Sequence, residues 1–137
     1  MKNLTTAIKS KISGTALDRL VGRRVYKGRA PIGTKYPYIV FFVVSDVQYD
    51  TFKSKLDDVS IQFSLFSTAS STDEIDEIYD ELKELMDDAI LRITGATQCL
   101  LYRENTIMMS EEPMVTPDGT KETWHYAVDY NIIQERG

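Results

Sequence analysis

The chain has 137 residues, with 16 lysines and arginines against 21 aspartates and glutamates and a single histidine, for a net charge of −5. That length fits one domain, residues 1–137, and excludes two enzyme-sized ones. A 42% hydrophobic share with 27% charged residues excludes disordered, collagen-like and coiled-coil chains. The lone cysteine, Cys99, excludes an internal disulfide or a zinc ribbon. The longest apolar run, YIVFFVV at residues 38–44, has seven residues, whereas a membrane-spanning helix needs about 20. The opening MKNLTTAIKSKISG has no continuous apolar stretch of the secretory kind. The expectation is a chain made and folded in the cytoplasm, with no membrane partner.

Taken in chain order, Leu4, Ala7, Ile8, Lys11 and Ile12 recur at spacings of 3 and 4 and predict a short amphipathic helix stopped near Gly14. Ala16, Leu17, Leu20 and Val21 predict a second short helical turn. A loop punctuated by Gly and Pro, residues 28–37, leads into YIVFFVV, whose β-branched and aromatic residues suit a central strand buried on both faces. Residues 45–57 hold Tyr49 and Phe52 without a regular period and predict an exposed loop or flaring hairpin, a candidate arm for a neighbour. Residues 58–66 alternate strictly, with Val59, Ile61, Phe63 and Leu65 on one face and Ser60, Gln62 and Ser64 on the other.

The clearest element is an amphipathic helix over residues 72–93. Ile75, Ile78, Tyr79, Leu82, Leu85, Met86, Ala89, Ile90 and Ile93 form its apolar stripe, Ser71 with Glu74 makes a capping box, and Gly95 is the stop. QCLLYREN and TIMMS follow, then a Pro117-Asp118-Gly119 turn, then a strand with Trp124, Tyr126, Val128, Tyr130 and Ile132 in phase. The sum is an α+β domain: a largely antiparallel sheet of four or five strands, one long amphipathic helix packed on a face, and short N-terminal helices.

Charge is unevenly placed. Residues 1–36 carry nine basic side chains against one acid, Asp18, a local charge of +8, so the remainder carries −13. In residues 72–93 nine acids face only Lys83 and Arg92. Two poles of this kind fit self-association, in which the basic surface of one copy meets the acidic surface of the next, or binding of nucleic acid by the basic end. Solvated faces that simply keep the protein soluble are the plainer alternative.

Catalytic motifs are missing. GRAPIGTK at residues 28–35 has two glycines five apart, but a phosphate-binding loop places Lys before Ser or Thr and continues into a helix, whereas here the order is reversed and a strand follows. His125 lies mid-strand on the less apolar face with no triad-like neighbour in sequence, and Cys99 sits among apolar residues as a small hydrophobe would. Acids on the outside of a helix splay apart and do not converge on a cation. The expectation is a protein without enzymatic activity, metal or cofactor.

The order LDRLVGRRVYKGRAPIGTKYPYIVFFVVS, DDVSIQFSLFS, SSTDEIDEIYDELKELMDD and WHYAVDYNII resembles the tail-completion or tail-terminator proteins of long-tailed bacteriophages. The shared features are a short N-terminal helix, a GRVY-like strand, a P-x-G-x-x-x-P-Y-I-V entry to the next strand and an amphipathic helix after a Phe-Ser strand. The tract from Cys99 to Lys121 has no counterpart in that pattern. The resemblance implies a structural protein of the virion, assembled in the host cytoplasm, that forms a ring of six copies at the head-proximal end of the tail tube. There it ends tube polymerisation and joins the tail to the head connector. Its implied partners are its own copies, the tail tube protein and a head-completion or connector protein, with DNA passing through the lumen without specific binding.

Read with the charge poles, this makes Arg23, Arg24, Lys27, Arg29, Lys35, Asp76, Asp80 and Glu84 candidates for the subunit interface. Tyr49, Phe52, Lys53 and Lys55 are candidates for an arm that docks on a neighbour. Rival readings are a neck or head–tail connector protein of the same particle, a small nucleic-acid-binding module using the same basic residues with Tyr26 and Tyr36 interleaved, and a hydrolase with an unrecognised site.

Overall fold

A computed structural model of the chain describes residues 2–50, 55–69, 71–92, 96–116 and 119–136. In chain order the elements are α1 (Lys2–Ile12), α2 (Ala16–Leu20), β1 (Val25–Lys27), β2 (Tyr38–Asp50), β3 (Lys55–Ser67), α3 (Asp73–Met86), β4 (Ile90–Arg92), β5 (Ala96–Thr116) and β6 (Gly119–Arg136). The strands form one curled sheet of six in the order β1-β2-β3-β6-β5-β4. Only β1 and β2 run parallel. The architecture is mixed α+β, as the sequence pattern predicts, with six strands in place of the four or five expected.

The sheet is sorted by face. Ile39 and Phe41 of β2, Val59, Ile61, Phe63 and Leu65 of β3, Tyr126, Val128, Tyr130 and Ile132 of β6, and Cys99 and Leu101 of β5 share one core with Leu4, Ile8 and Ile12 of α1 and Ile75, Ile78, Leu82 and Met86 of α3. At its centre Phe63 lies 5.9 Å from Phe41 and meets Tyr130 edge-on at 5.6 Å. The in-phase alternation of residues 58–66 and of the final strand is therefore borne out. The opposite face carries Ser60, Gln62, Asp129 and Asn131, tied across strands by Ser60 Oγ donating to Asn131 Oδ1 at 2.8 Å and Gln62 Nε2 donating to Asp129 Oδ1 at 3.0 Å.

Three further expectations need correction. YIVFFVV is not uniformly buried: β1 flanks β2 only along Ile39, Val40 and Phe41, a bulge interrupts the ladder between Val43 and Ser45, and Val44 is 56% exposed. Of the two forms expected within residues 45–57, the hairpin is the one found, with β2 and β3 paired from Ser45↔Ser60 to Asp50↔Lys55. The long helix ends at Met86, well before residue 93. Asp88 takes a left-handed φ of 56°, a conformation Asp tolerates better than most residues, and the chain turns back to lay β4 on β5. Beyond the turn Ile90 is 55% exposed and Leu91 3%, the two-residue alternation of a strand, so these apolar positions fitted both periods. Ile93, Gly95, Pro117 and Asp118 lie outside the described residues.

The capping box at Ser71 does not form either. Thr72 occupies the N-cap without a side-chain bond, Ser71 Oγ accepts the Asp73 amide at 3.3 Å, and Glu74 accepts a hydrogen bond from Ser67 Oγ at 2.7 Å. Ser67 is fully buried at the end of β3, so its hydroxyl has the stronger claim on that carboxylate. On α2 the N-cap Thr15 Oγ1 accepts the Asp18 amide at 3.4 Å, while Asp18 Oδ2 accepts the amide of Gly14, one residue before the cap, at 3.0 Å.

Phe63 packs against both aromatic neighbours at the middle of the core, so Phe63→Ala should lower stability by about 3–5 kcal/mol, read from urea unfolding followed by Trp124 fluorescence.

Candidate subunit interface

Of the basic candidates, Arg23, Lys27, Arg29 and Lys35 are exposed, and the one acid among them in sequence is buried. Asp18 is 7% exposed and accepts the Gly14 amide at the entry to α2. The Gly22-Arg23 pair turns the chain with φ of 58° and 63°, which leaves the Arg23 side chain outward. Arg24 points back instead. Its Nε donates to the Pro37 carbonyl at 3.0 Å and its Nη2 to the Tyr36 carbonyl at 3.4 Å. A Cβ on Gly22 would stand 2.7 Å from the Arg24 guanidinium, so glycine is needed there for both the turn and the passage of Arg24. Lys27, Arg29 and Lys35 are exposed.

Loop 28–37 folds across the uncovered sheet face and, with Tyr36, Tyr38, Val40, Phe42, Ser64 and Phe66, walls a recess of about 540 Å³. Its tip residue Ile32 is entirely exposed, at 107%. Behind the loop, rings follow one another in a file: Tyr36 to Tyr38 at 5.1 Å, Tyr38 to Phe66 at 4.8 Å, and Phe66 to His125 at 4.3 Å with planes 18° apart. The histidine is thus one end of an aromatic stack. Cys99 is fully buried, and burial pushes its thiol above the ordinary value, which disfavours the thiolate.

On α3 the three acidic candidates differ. Asp76 is turned inward and accepts a hydrogen bond from Tyr126 Oη at 2.6 Å. Asp80 pairs with Lys83 one turn on at 3.3 Å with a largely exposed carboxylate, and Glu84 is exposed. Of the arm candidates, Lys55 is exposed at the start of β3, while the side chain of Tyr49 and the whole of Phe52 and Lys53 lie outside the described residues. Among the described residues no group of His, Cys, Asp and Glu is arranged to hold a metal ion.

Sequence reading missed the polar seam that fastens α3 to the sheet. Tyr130 Oη donates to Asp87 Oδ1 at 2.5 Å, Arg103 Nη2 lies 3.3 Å from Asp87 Oδ2, Arg103 Nη1 donates to Tyr79 Oη at 2.6 Å, and Tyr79 shares a hydrogen bond of 2.7 Å with Thr106. A signal for it existed. Tyr126 and Tyr130 are separated by roughly 13 Å along a strand and Asp76 and Asp87 by about 16 Å along a helix, so phased tyrosines and acids can pair twice across one packing seam.

A family model described as "Tail completion protein gp17" matches residues 3–135. The chain belongs to that family. No curated protein matches this tail completion protein. Among solved structures, a chain from the "Virion of native gene transfer agent (GTA) particle" superposes with a TM-score of 0.66 at 13% identity, covering 98% of this chain and 96% of its own. That likeness establishes a shared fold across the full length. A second solved chain reaches a TM-score of 0.48 at 12% identity, covering 96% of this chain and 94% of its own.

Two outcomes follow. Arg24→Ala removes two bonds from a charged donor and should cost about 1–3 kcal/mol, whereas Arg23→Ala, which faces water, should leave the melting temperature of the monomer unchanged. Burial and the hydrogen bond to Asp76 push the Tyr126 hydroxyl up to about 12 from 10.0. A folded-state value above the unfolded one means that this stabilisation is intact below about pH 10 and lost as the pH rises through about 12. Tyr126→Phe should therefore lose less stability than the wild type across that window in pH-dependent unfolding.

Proposed function

We propose that this tail completion protein is a structural part of a phage-type virion that closes into a ring at the head-proximal end of the tail tube, ends tube polymerisation there and gives the head connector a surface to join. Family membership over residues 3–135 carries the reading, and the virion source of the chain that shares its fold agrees with it. Six is the copy number that the resemblance implies. In this role the protein makes and breaks no covalent bond.

The electrostatics support self-assembly in particular. The two ion pairs found among the described residues, Lys83–Asp80 and Arg103–Asp87, both lie in the acidic half. Neither joins the acidic part of the chain to the basic third. A heterologous contact, in which unlike patches of successive copies meet, closes into a ring when the rotation between copies divides the circle. The lumen passes DNA without holding it, in keeping with a net charge of −5. A neck or connector protein of the same particle shares this logic and differs in its neighbours.

Native mass spectrometry of the purified chain, alone and with the tail tube protein, should show a ring-sized multimer, and electron micrographs should show annular particles. Monomer alone under both conditions would overturn the proposal.

A further inference from the structure

The uncovered face of the sheet has a second unusual region, at the end opposite loop 28–37. There Leu56, Asp57, Asp58 and Ile133 line a pocket of about 300 Å³. The register places Val47 and Ile133 on either side of Asp58, with Leu100 next to Ile133. These aliphatic side chains are exposed: Val47 by 58%, Leu100 by 47% and Ile133 by 40%. Within this apolar rim Asp58 Oδ1 is shielded from solvent and makes no hydrogen bond. A desolvated carboxylate oxygen without a donor is costly, and the cost falls once a cationic donor arrives with apolar surface to seal the rim.

Loop 28–37 has the complementary shape and charge. Ile32 stands fully exposed at its tip, with Arg29 three residues before it and Lys35 three residues after it, all at the surface. The loop cannot fill the pocket of its own subunit. It lies over Tyr38 and Phe66, and Phe66 is eight residues from Asp58 along β3, roughly 26 Å. Arg24 also pins the loop's end through the Tyr36 and Pro37 carbonyls.

We infer that loop 28–37 of one copy docks on the β2–β3 end of the next, with Ile32 seated in the pocket of Leu56 and Ile133, Arg29 donating to Asp58, and Lys35 adding attraction toward the same acids. The inference rests on the ring reading and deepens it by naming the two patches that meet. They are different patches at opposite ends of one sheet face, so the contact is heterologous and each copy offers one knob and one hole.

Chains carrying one added cysteine test this, since the native Cys99 is buried. Ile32→Cys and Ile133→Cys, both at exposed positions, should form a disulfide-linked dimer when mixed and oxidised, and far less when either is oxidised alone. Ile32→Asp should weaken multimer formation at least tenfold in sedimentation velocity with an unchanged monomer melting temperature, and Arg29→Asp with Asp58→Arg should assemble better than either single change. If the wild type assembles while the mixed cysteine chains cross-link no better than each alone, this contact is overturned and the ring reading stands. If the wild type remains monomeric even with tail tube protein, the ring reading falls with it.

Discussion

One-sided burial governs this fold. The phased apolar residues of β3 and β6 fill one face of the sheet against α1 and α3, and Phe63 with Tyr130 joins the two layers at their centre. The three helices described all lie within or beside that single core. With one face of the sheet committed, the other must be made acceptable without a helical cover. The sequence does so with short polar side chains bonded across strands, with a bulge that leaves Val44 outside the ladder, and with a loop folded over the β2 side. This division is what allows a small chain to keep a sealed core and still expose a wide, patterned surface, as an assembly protein requires.

Where one periodicity applied, the sequence was readable. Residues 58–66 and the last strand alternate with a period of two and do so in the fold, and Leu4, Ile8 and Ile12 mark α1 without ambiguity. Where two periods coincided, reading failed. Ala89 and Ile90 extend the helical stripe of α3, yet they also suit a strand, and Asp88 at positive φ settles the matter for the strand. The tract from Cys99 to Lys121 shows no clean alternation because bulges between Arg103 and Asn105 and between Glu111 and Met114 shift the phase within β5. A pattern broken by bulges looks patternless in one dimension.

The interface candidates show the same limit in electrostatic form. Charge counting finds two poles but cannot tell a charge offered to a neighbour from one already in use. Asp18 and Asp76 hold their own fold together, and Arg24 pins loop 28–37, whereas Arg23, Arg29, Lys35 and Glu84 face outward. For Asp76 the partner lies far off in sequence, 50 residues away at Tyr126. No local motif encodes such a pair.

An assembly unit must also be hard to satisfy within itself. If loop 28–37 and the pocket at Asp58 lay side by side, the chain could close the contact alone and remain a monomer. The β-hairpin of β2 and β3 prevents this by holding the two regions apart as a rigid strut, fixed on one side by a ladder with β6 that runs from Leu56↔Glu135 to Ser67↔Trp124. On the proposed assembly, the same strut sets the offset between successive copies, and the curl of the sheet sets their rotation. In that proposed assembly, ring closure follows from backbone geometry that the core enforces, while the surface charges supply attraction and select the partner.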